Sequence, residues 1–317
     1  MTQLRCSICV TAHNEEANIG RLLDALLSQE LSTVSITEVV VVASGCTDAT
    51  CDIVQTYVDR EPRIRLLTQP RREGKTAAIN LFLKHAVEQI VVVQSGDTLP
   101  RYDSIEHLIR PFAEDNVGMT GAQKVPVHAT DTFIDYLSHL RLQLEHELCL
   151  EIPRLGELIA FRKIIDGIPA DVAMDEAFME AFILKRNLRV VYAPKAIVYN
   201  MGPQTVGDFI RQRRRNHAGH LHLSHRYGYK VSSLNTKAVA SLAATEVWRL
   251  IKGVLFMGWA ATLEAVARGL GTYDYYVRGR KHVVWDMAWS TKNVDVSKAT
   301  HLNGNLAPNR AELGEVK

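Results

Sequence analysis

Three short stretches hold residues whose types and spacing can do chemistry: Ser95-Gly96-Asp97, Asp175-Glu176, and Gln212-Arg213-Arg214-Arg215. The first follows the apolar run Ile90-Val91-Val92-Val93, so Asp97 is expected just past a buried strand. Open α/β sheets bind ligands beyond the carboxyl ends of their strands, and a carboxylate there can hold a divalent cation against a phosphate. Taken alone, an Asp that merely closes a turn reads the same way. Asp175 and Glu176 open a helical stretch, where the macrodipole favours acids whatever their use. Used catalytically, such a carboxylate is a general base that takes the proton of an attacking hydroxyl. On a helix, Gln212 and Arg215 share a face, and guanidinium groups there can neutralise a departing diphosphate or simply be solvated.

Other strand ends supply the remaining parts of a cleft. Thr11, His13 and Glu15 follow one apolar strand, Ser44 and Asp48 a second, and Gly74-Lys75 a third, with Ser95 beside Asp97 on the fourth. Together they offer donors and acceptors for a base and ribose, a cation for phosphate and a metal-holding carboxylate. Each also has a plain structural use: Glu15 at a helix start, Lys75 in a solvated turn.

The elements that must position these residues follow from hydrophobic period. Strands are predicted at Cys6–Thr11, Val39–Val42, Ile64–Leu67 and from Ile90, alternating with helices Glu16–Ser28, Thr47 or Asp48 to Asp59, and Thr76–His85. This is a parallel α/β sheet. After Pro100 the alternation gives way to a mixed arrangement. Helices are expected at Asp103–Glu114, Phe133–Leu150 and Ala177–Arg186. Strands are expected within Val117–Val127 and at Glu157–Arg162, and two short ones at Leu188–Tyr192 and Ala196–Tyr199. From Thr205 the chain reads as helical, first to about Tyr227, then from Leu234 to Leu270 with breaks at Gly253 and Gly258. The stretch from Val247 to Ala267 is apolar but interrupted by Arg249, Lys252 and Glu264. It either packs on the main domain or lies in a membrane interface, anchored by Trp248, Phe256 and Trp259. Lys292 to Lys317 is expected to be a mobile tail.

Totals exclude several classes. The 317 residues are 47% hydrophobic and 23% charged, and 37 basic residues against 35 acidic leave a net charge of +2, so no whole-protein field argues for nucleic acid. Five irregularly spaced cysteines suit a reducing compartment, and Cys6-x-x-Cys9 lies in a strand rather than at a helix start, against a redox or zinc role. The first residues lack a charged stretch followed by an apolar core, so no secretory signal is expected, and no uninterrupted apolar run reaches the length of a membrane span. His217, His220, His222 and His225 lack interleaved acids or cysteines, so a helix touching phosphate or anionic lipid explains them better than zinc.

With these residues assembled, the chain resembles the family 2 glycosyltransferases of the GT-A fold over roughly Ser7 to Gly219. TAHNEEANIGRLLDAL is similar to the family's opening motif, VVVASGCTDAT to its second strand and turn, and GKTAAIN to the segment before the metal-binding strand. SGD falls at the Asp-x-Asp, MDEAFM at the acidic motif with the catalytic base, and QRRRN at the Gln-x-x-Arg-Trp motif. The departures are Ala43 and Ser44 where two acids are common, Ser95 for the first Asp, and Asn216 for the Trp.

The resemblance implies a GT-A domain over 1–230, with a nucleotide half to about 100, then a helical extension over 231–290 and a tail over 291–317. It implies an inverting transferase acting on a nucleotide sugar, a UDP-sugar by preference, and on a sugar, lipid-linked or small-molecule acceptor. Glu176 or Asp175 would be the base, Asp97 the ligand of Mg²⁺ or Mn²⁺, and Thr11, His13, Glu15, Ser44, Asp48, Lys75, Ser95, Gln212, Arg214 and Arg215 the donor site. The expected location is cytoplasmic, peripheral at the inner face of a membrane. Rival readings are a nucleotidyltransferase on a similar sheet and a non-catalytic protein, one that binds nucleotide sugars or one that serves as a scaffold.

Overall fold

In the computed structural model the described residues are 3–128, 130–229 and 251–285. The first half alternates as its periodicity demands: β1 (Leu4–Ala12), α1 (Ile19–Leu27), β2 (Val34–Ser44), α2 (Thr50–Val58), β3 (Ile64–Gln69), α3 (Lys75–His85) and β4 (Ile90–Ser95). A short β5 (Thr98–Pro100) turns back, and α4 (Ser104–Ile109), β6 (Val117–Pro126), α5 (Phe133–Glu151), β7 (Leu158–Arg162), α6 (Asp175–Leu184) and β8 (Arg189–Asn200) follow. Two long helices complete the described chain, α7 (Val206–Tyr227) and α8 (Ile251–Tyr276).

The eight strands form one sheet in the order β3-β2-β1-β4-β7-β6-β8-β5. β1 to β4 are mutually parallel, whereas β7 runs antiparallel to both β4 and β6. That reversal brings the start of β7 to the edge where β1, β2, β3 and β4 end. The α/β sheet expected from the sequence is therefore present, and the change to mixed pairing comes near Pro100, where β5 runs antiparallel to β8.

Both sheet faces are covered. Ile8, Val10 and Val41 pack with α1, α2 and α4, while Cys9, Val40, Val42 and Val93 pack with α3 and α6. Cys6 and Cys9 sit three apart on a strand, so they point into opposite cores and cannot act as a pair. Burial pushes the Cys6 thiol up to about 12 and the Cys9 thiol higher still.

Three local expectations are corrected. α1 begins only at Ile19, because the Glu15 carbonyl accepts from both Asn18 and Ile19 and holds residues 15–18 in a turn. The two strands expected after Leu188 are one strand, β8, whose register jumps from the Ala122–Ala193 pair to Gln123–Ile197 where Pro194 and its neighbours bulge out. α8 runs unbroken through Gly253 and Gly258, since a helix held by packing tolerates single glycines. Trp248, the residues from Leu234 to Arg249 and the expected tail lie outside the described residues.

Glu106 ties α4 to the start of β2. Its buried carboxylate accepts from Ser32 N and Oγ, Thr33 N and Oγ1, and Val34 N. Burial alone would raise its pKa, but those bonds outweigh it and hold the group below the usual glutamate value. A depressed carboxylate stabilises the fold above its unfolded pKa, and that stability is lost as pH falls through the folded one. Glu106→Gln is therefore expected to lose about 2 kcal/mol of unfolding free energy at neutral pH. The gap between variant and wild type in denaturant titrations should close in acid, and a pH-independent gap would contradict this account.

Candidate active site

The site occupies the sheet edge where the parallel strands end. Two cavities adjoin there, of about 400 and 140 Å³, sharing Arg72, Ser95, Asp97 and Trp285 in their walls. Thr11, His13, Glu15, Ser44 and Lys75 line the smaller one, and Glu176, Gln212, Arg214 and Arg215 the larger. Residues read from separate strand ends are thus brought to one place.

The strand ends hold each other in position. His13 Nδ1 lies 2.7 Å from the Ser44 carbonyl oxygen, and Ser44 Oγ accepts from Glu73 N at 3.2 Å. The Ser95–Asp97 turn is fixed by a Gly96 N–H donated to the Thr11 carbonyl at 3.0 Å. A Cβ on Gly96 would lie 2.9 Å from that oxygen and 3.0 Å from Glu15 Cγ, so only glycine allows the approach.

Lys75, at the first position of α3, reaches across to the start of α6. Its Nζ is 2.5 Å from Glu176 Oε1 and 3.3 Å from Asp175 Oδ2. Thr76 and Asn80 hold the intervening loop onto α3 by bonding the Val172 and Ile168 carbonyls. The two acids differ in surroundings. Asp175 is fully buried and lines neither cavity, and the Lys75 ammonium at 3.3 Å is its charge partner. Burial, then the Glu176 charge, push its pKa up. Glu176 lines the larger cavity, and although burial opposes ionisation, the Lys75 charge and hydrogen bond hold it well below the usual range.

Asp97 faces a second carboxylate. Glu157, immediately before β7, has φ +64°, and its carbonyl accepts from Ser95 N at 3.3 Å, so antiparallel pairing sets it beside the turn. Burial first, then the Asp97 charge, raise the Glu157 pKa. A divalent ion bound with a nucleotide takes one or two carboxylates, the rest of its shell being phosphate and water. Asp97, Glu157 and the Ser95 hydroxyl fit that demand, although no cluster of three or more acid, His or Cys ligands occurs among the described residues.

Other predicted residues have different duties. Asp48 lines neither cavity; its carboxylate accepts from Thr50 Oγ1, Thr50 N and Glu16 N and so ties the α1 and α2 entries together. Arg214 lines the cavity, but its guanidinium forks onto Asp274 of α8, a carboxylate with no exposed surface. His217, His222 and His225 bond Thr272, Asp171 and Tyr275, so they serve helix contacts rather than a phosphate surface. Trp285 was not foreseen. It brings an indole within 3.7 Å of Arg215 and 5.8 Å of Lys75, so an aromatic wall stands next to the motif that lacks one at Asn216. Glu157, Arg141 and Arg154 carry no motif in the sequence, and His220 stands there only among the four α7 histidines read as touching phosphate or lipid.

Lys75→Met would leave Asp175 and Glu176 buried side by side without a cation, at an expected cost of about 3 kcal/mol near neutral pH. Lys75 is held above its ordinary value of 10.5 by Asp175 and Glu176 against the effect of burial, so its contribution is complete below that pH. Glu176, held low, contributes above the ordinary glutamate value and less in acid. The Lys75→Met penalty in denaturant titrations should therefore shrink toward pH 4, and adding Glu176→Gln should recover part of it at pH 7. Equal penalties at both pH values would contradict the charge cluster.

Residues 7–169 match the family described as glycosyl transferase family 2. A dolichyl-phosphate beta-glucosyltransferase of Trichomonas vaginalis is 36% identical over 107 residues, covering 32% of this chain and 33% of that protein. An N-acetylglucosaminyltransferase of a Rhizobium species is 23% identical over 230 residues, covering 66% of this chain and 51% of its own length. The chain thus spans only a third to a half of these relatives. Among solved structures, the Pyrobaculum calidifontis mannosyltransferase in complex with GDP-Man and Mn²⁺ superposes with a TM-score of 0.62 at 21% identity, covering 86% of this chain and 88% of that one.

Proposed function

Since the chain belongs to glycosyl transferase family 2 and carries the GT-A fold, we propose that it transfers a sugar from a nucleotide sugar to an acceptor hydroxyl with inversion. The observation that carries this reading is Glu176, ionised by Lys75, in the wall of the same cavity as Asp97 and Arg215. The hydroxyl oxygen attacks the anomeric carbon, the bond from that carbon to the diphosphate breaks, and Glu176 takes the proton. Asp175, buried behind it, is a positioning residue for Lys75. The smaller cavity, with Thr11, His13, Glu15 and Ser44, takes the nucleoside, a uridine by preference.

Asp97, with Glu157 and Ser95, would hold Mg²⁺ or Mn²⁺. When bound, the ion offsets charge on the departing diphosphate. Arg215 and Gln212 face the same group, while Trp285 fixes the Arg215 fork by stacking. The structure in complex with GDP-Man and Mn²⁺ supports the metal by analogy of fold.

A membrane-surface setting draws on α8. No helix among the described residues is long and apolar enough to cross a membrane. Trp259, Val266, Leu270, Tyr273 and Val277 are nevertheless exposed at helical spacing, and the exposed Arg278, Arg280 and Lys281 follow them. Such a face suits the surface of an anionic bilayer, from which a lipid-linked acceptor would be reached.

Calorimetry with UDP, GDP, dTDP and CMP, with and without Mn²⁺, should show metal-dependent binding of one nucleotide to the wild type and none to Asp97→Ala. Binding of no nucleotide would favour the scaffold reading. Glu176→Gln is expected to lower turnover by about 10² to 10⁴ while nucleotide affinity holds, and unchanged turnover removes Glu176 as base. In flotation with anionic liposomes, the wild type should rise with the lipid and Trp259→Ser/Leu270→Ser should stay behind. A wild type that stays at the bottom ends the membrane reading.

A further inference from the structure

The larger cavity has a basic part that the transfer reading leaves unused. It is walled by Lys124 on β6, Arg141 and Glu145 on α5, Arg154 in the loop before β7, Glu180 on α6 and His220 on α7. Glu145 is already occupied, with Lys124 Nζ at 2.5 Å and Arg141 Nη1 at 2.9 Å. Arg213 is likewise spent on Glu264, through a two-point contact of 2.8 and 2.7 Å. Arg154 differs: among the described residues its guanidinium has no ion pair and no hydrogen bond. Glu180 lies within its electrostatic reach, but burial raises the Glu180 pKa and its Oε1 is taken by the Tyr229 hydroxyl at 2.5 Å. This part of the wall therefore carries more positive charge than its own acids balance.

His220 supplies a second, independent observation. It is 6% exposed, lines the cavity, and neither ring nitrogen has a hydrogen-bond partner among the described residues. Buried imidazole nitrogens are ordinarily partnered, so this ring is built to meet something that the chain does not provide. Burial, followed by the Arg154 and Arg213 charges, drives its pKa down to about 3, so it stands as a neutral ring that can donate one N–H. A half-buried guanidinium fork and a buried N–H donor in the wall of one cavity, close enough for the Arg154 charge to act on the ring, match the oxygens of a phosphate.

We propose that Arg154 and His220 form a seat for a phosphate group carried by the acceptor, apart from the diphosphate of the donor. The inference rests on the transferase reading and adds to it the class of acceptor: one with a phosphate monoester as well as the reacting hydroxyl. The phosphate belongs to a soluble molecule or to a lipid headgroup, and the chemistry of the seat is the same for both.

The test uses the full chain with its donor site filled by saturating nucleotide and Mn²⁺, and in parallel without nucleotide. Glycerol 1-phosphate is titrated calorimetrically, with glycerol as the neutral control, and vesicles containing phosphatidic acid are compared with phosphatidylcholine vesicles. The wild type should bind glycerol 1-phosphate or phosphatidic acid vesicles with nucleotide present. Arg154→Gln should weaken that by about ten-fold or more, with nucleotide affinity and thermal midpoint unchanged. Arg154→Lys, which keeps the charge and loses the fork, should fall between the two, and His220→Phe should weaken binding as well. The arm in which Arg154 matters names the source of the phosphate.

Binding that saturating nucleotide abolishes, binding that Arg154→Gln leaves unchanged in both arms, or no binding in either arm at millimolar phosphate overturns the seat. Nucleotide binding without a seat leaves the transferase reading standing. An Arg154-dependent phosphate site in a chain that binds no nucleotide supports the seat and removes the transferase instead.

Discussion

The buried contact between Lys75 and the adjacent acids Asp175 and Glu176 is the constraint around which the rest of the site is arranged. Two neighbouring carboxylates in a protein interior repel each other and lose hydration, so they persist only with a cation between them. Lys75 supplies that cation from the start of another helix, 101 residues earlier in the chain. The same contact holds α6 against α3, keeps Glu176 ionised at the cavity wall, and leaves Asp175 buried behind it with its charge suppressed. Structure and chemistry share one ion cluster here, so neither acid can be changed without touching both.

A second constraint is the direction of β7. Placing one antiparallel strand between β4 and β6 brings the start of β7 to the edge where the parallel strands end. That brings Glu157 beside Asp97, and the preceding loop carries Arg154 into the same cavity. On the far wall, α7 is held by α8 through Arg213–Glu264 and Arg214–Asp274, so part of the basic motif is structural. Charge along one helix is thereby divided between holding the wall and facing the cavity.

The motifs were legible where a residue's surroundings are set by its chain neighbours. Ser95-Gly96-Asp97 ends a strand because valines precede it and a glycine-bearing turn follows, and Glu176 stands at a helix start with Asp175 as read. Asp48 and Arg214 were placed in the donor site because a motif marks a position without showing where its side chain bonds. Thr50 and Glu16 take one, and Asp274 takes the other. The histidines of α7 read as a polar surface because the helix that covers them comes some fifty residues later.

By itself the sequence determined the order of strands and helices, the parallel first half of the sheet and the stretches that carry chemistry. Hydrophobic period, turn residues and strand-end polarity act over a few residues, and those are visible in one dimension. Only the tertiary structure decided which charges and rings meet: Lys75 with Glu176, Asp97 with Glu157, Arg215 with Trp285, and Arg154 with His220. The interactions that set these protonation states and open donors act over a few ångströms between residues tens to a hundred positions apart. Their partners are fixed by strand order and direction, which no local pattern records.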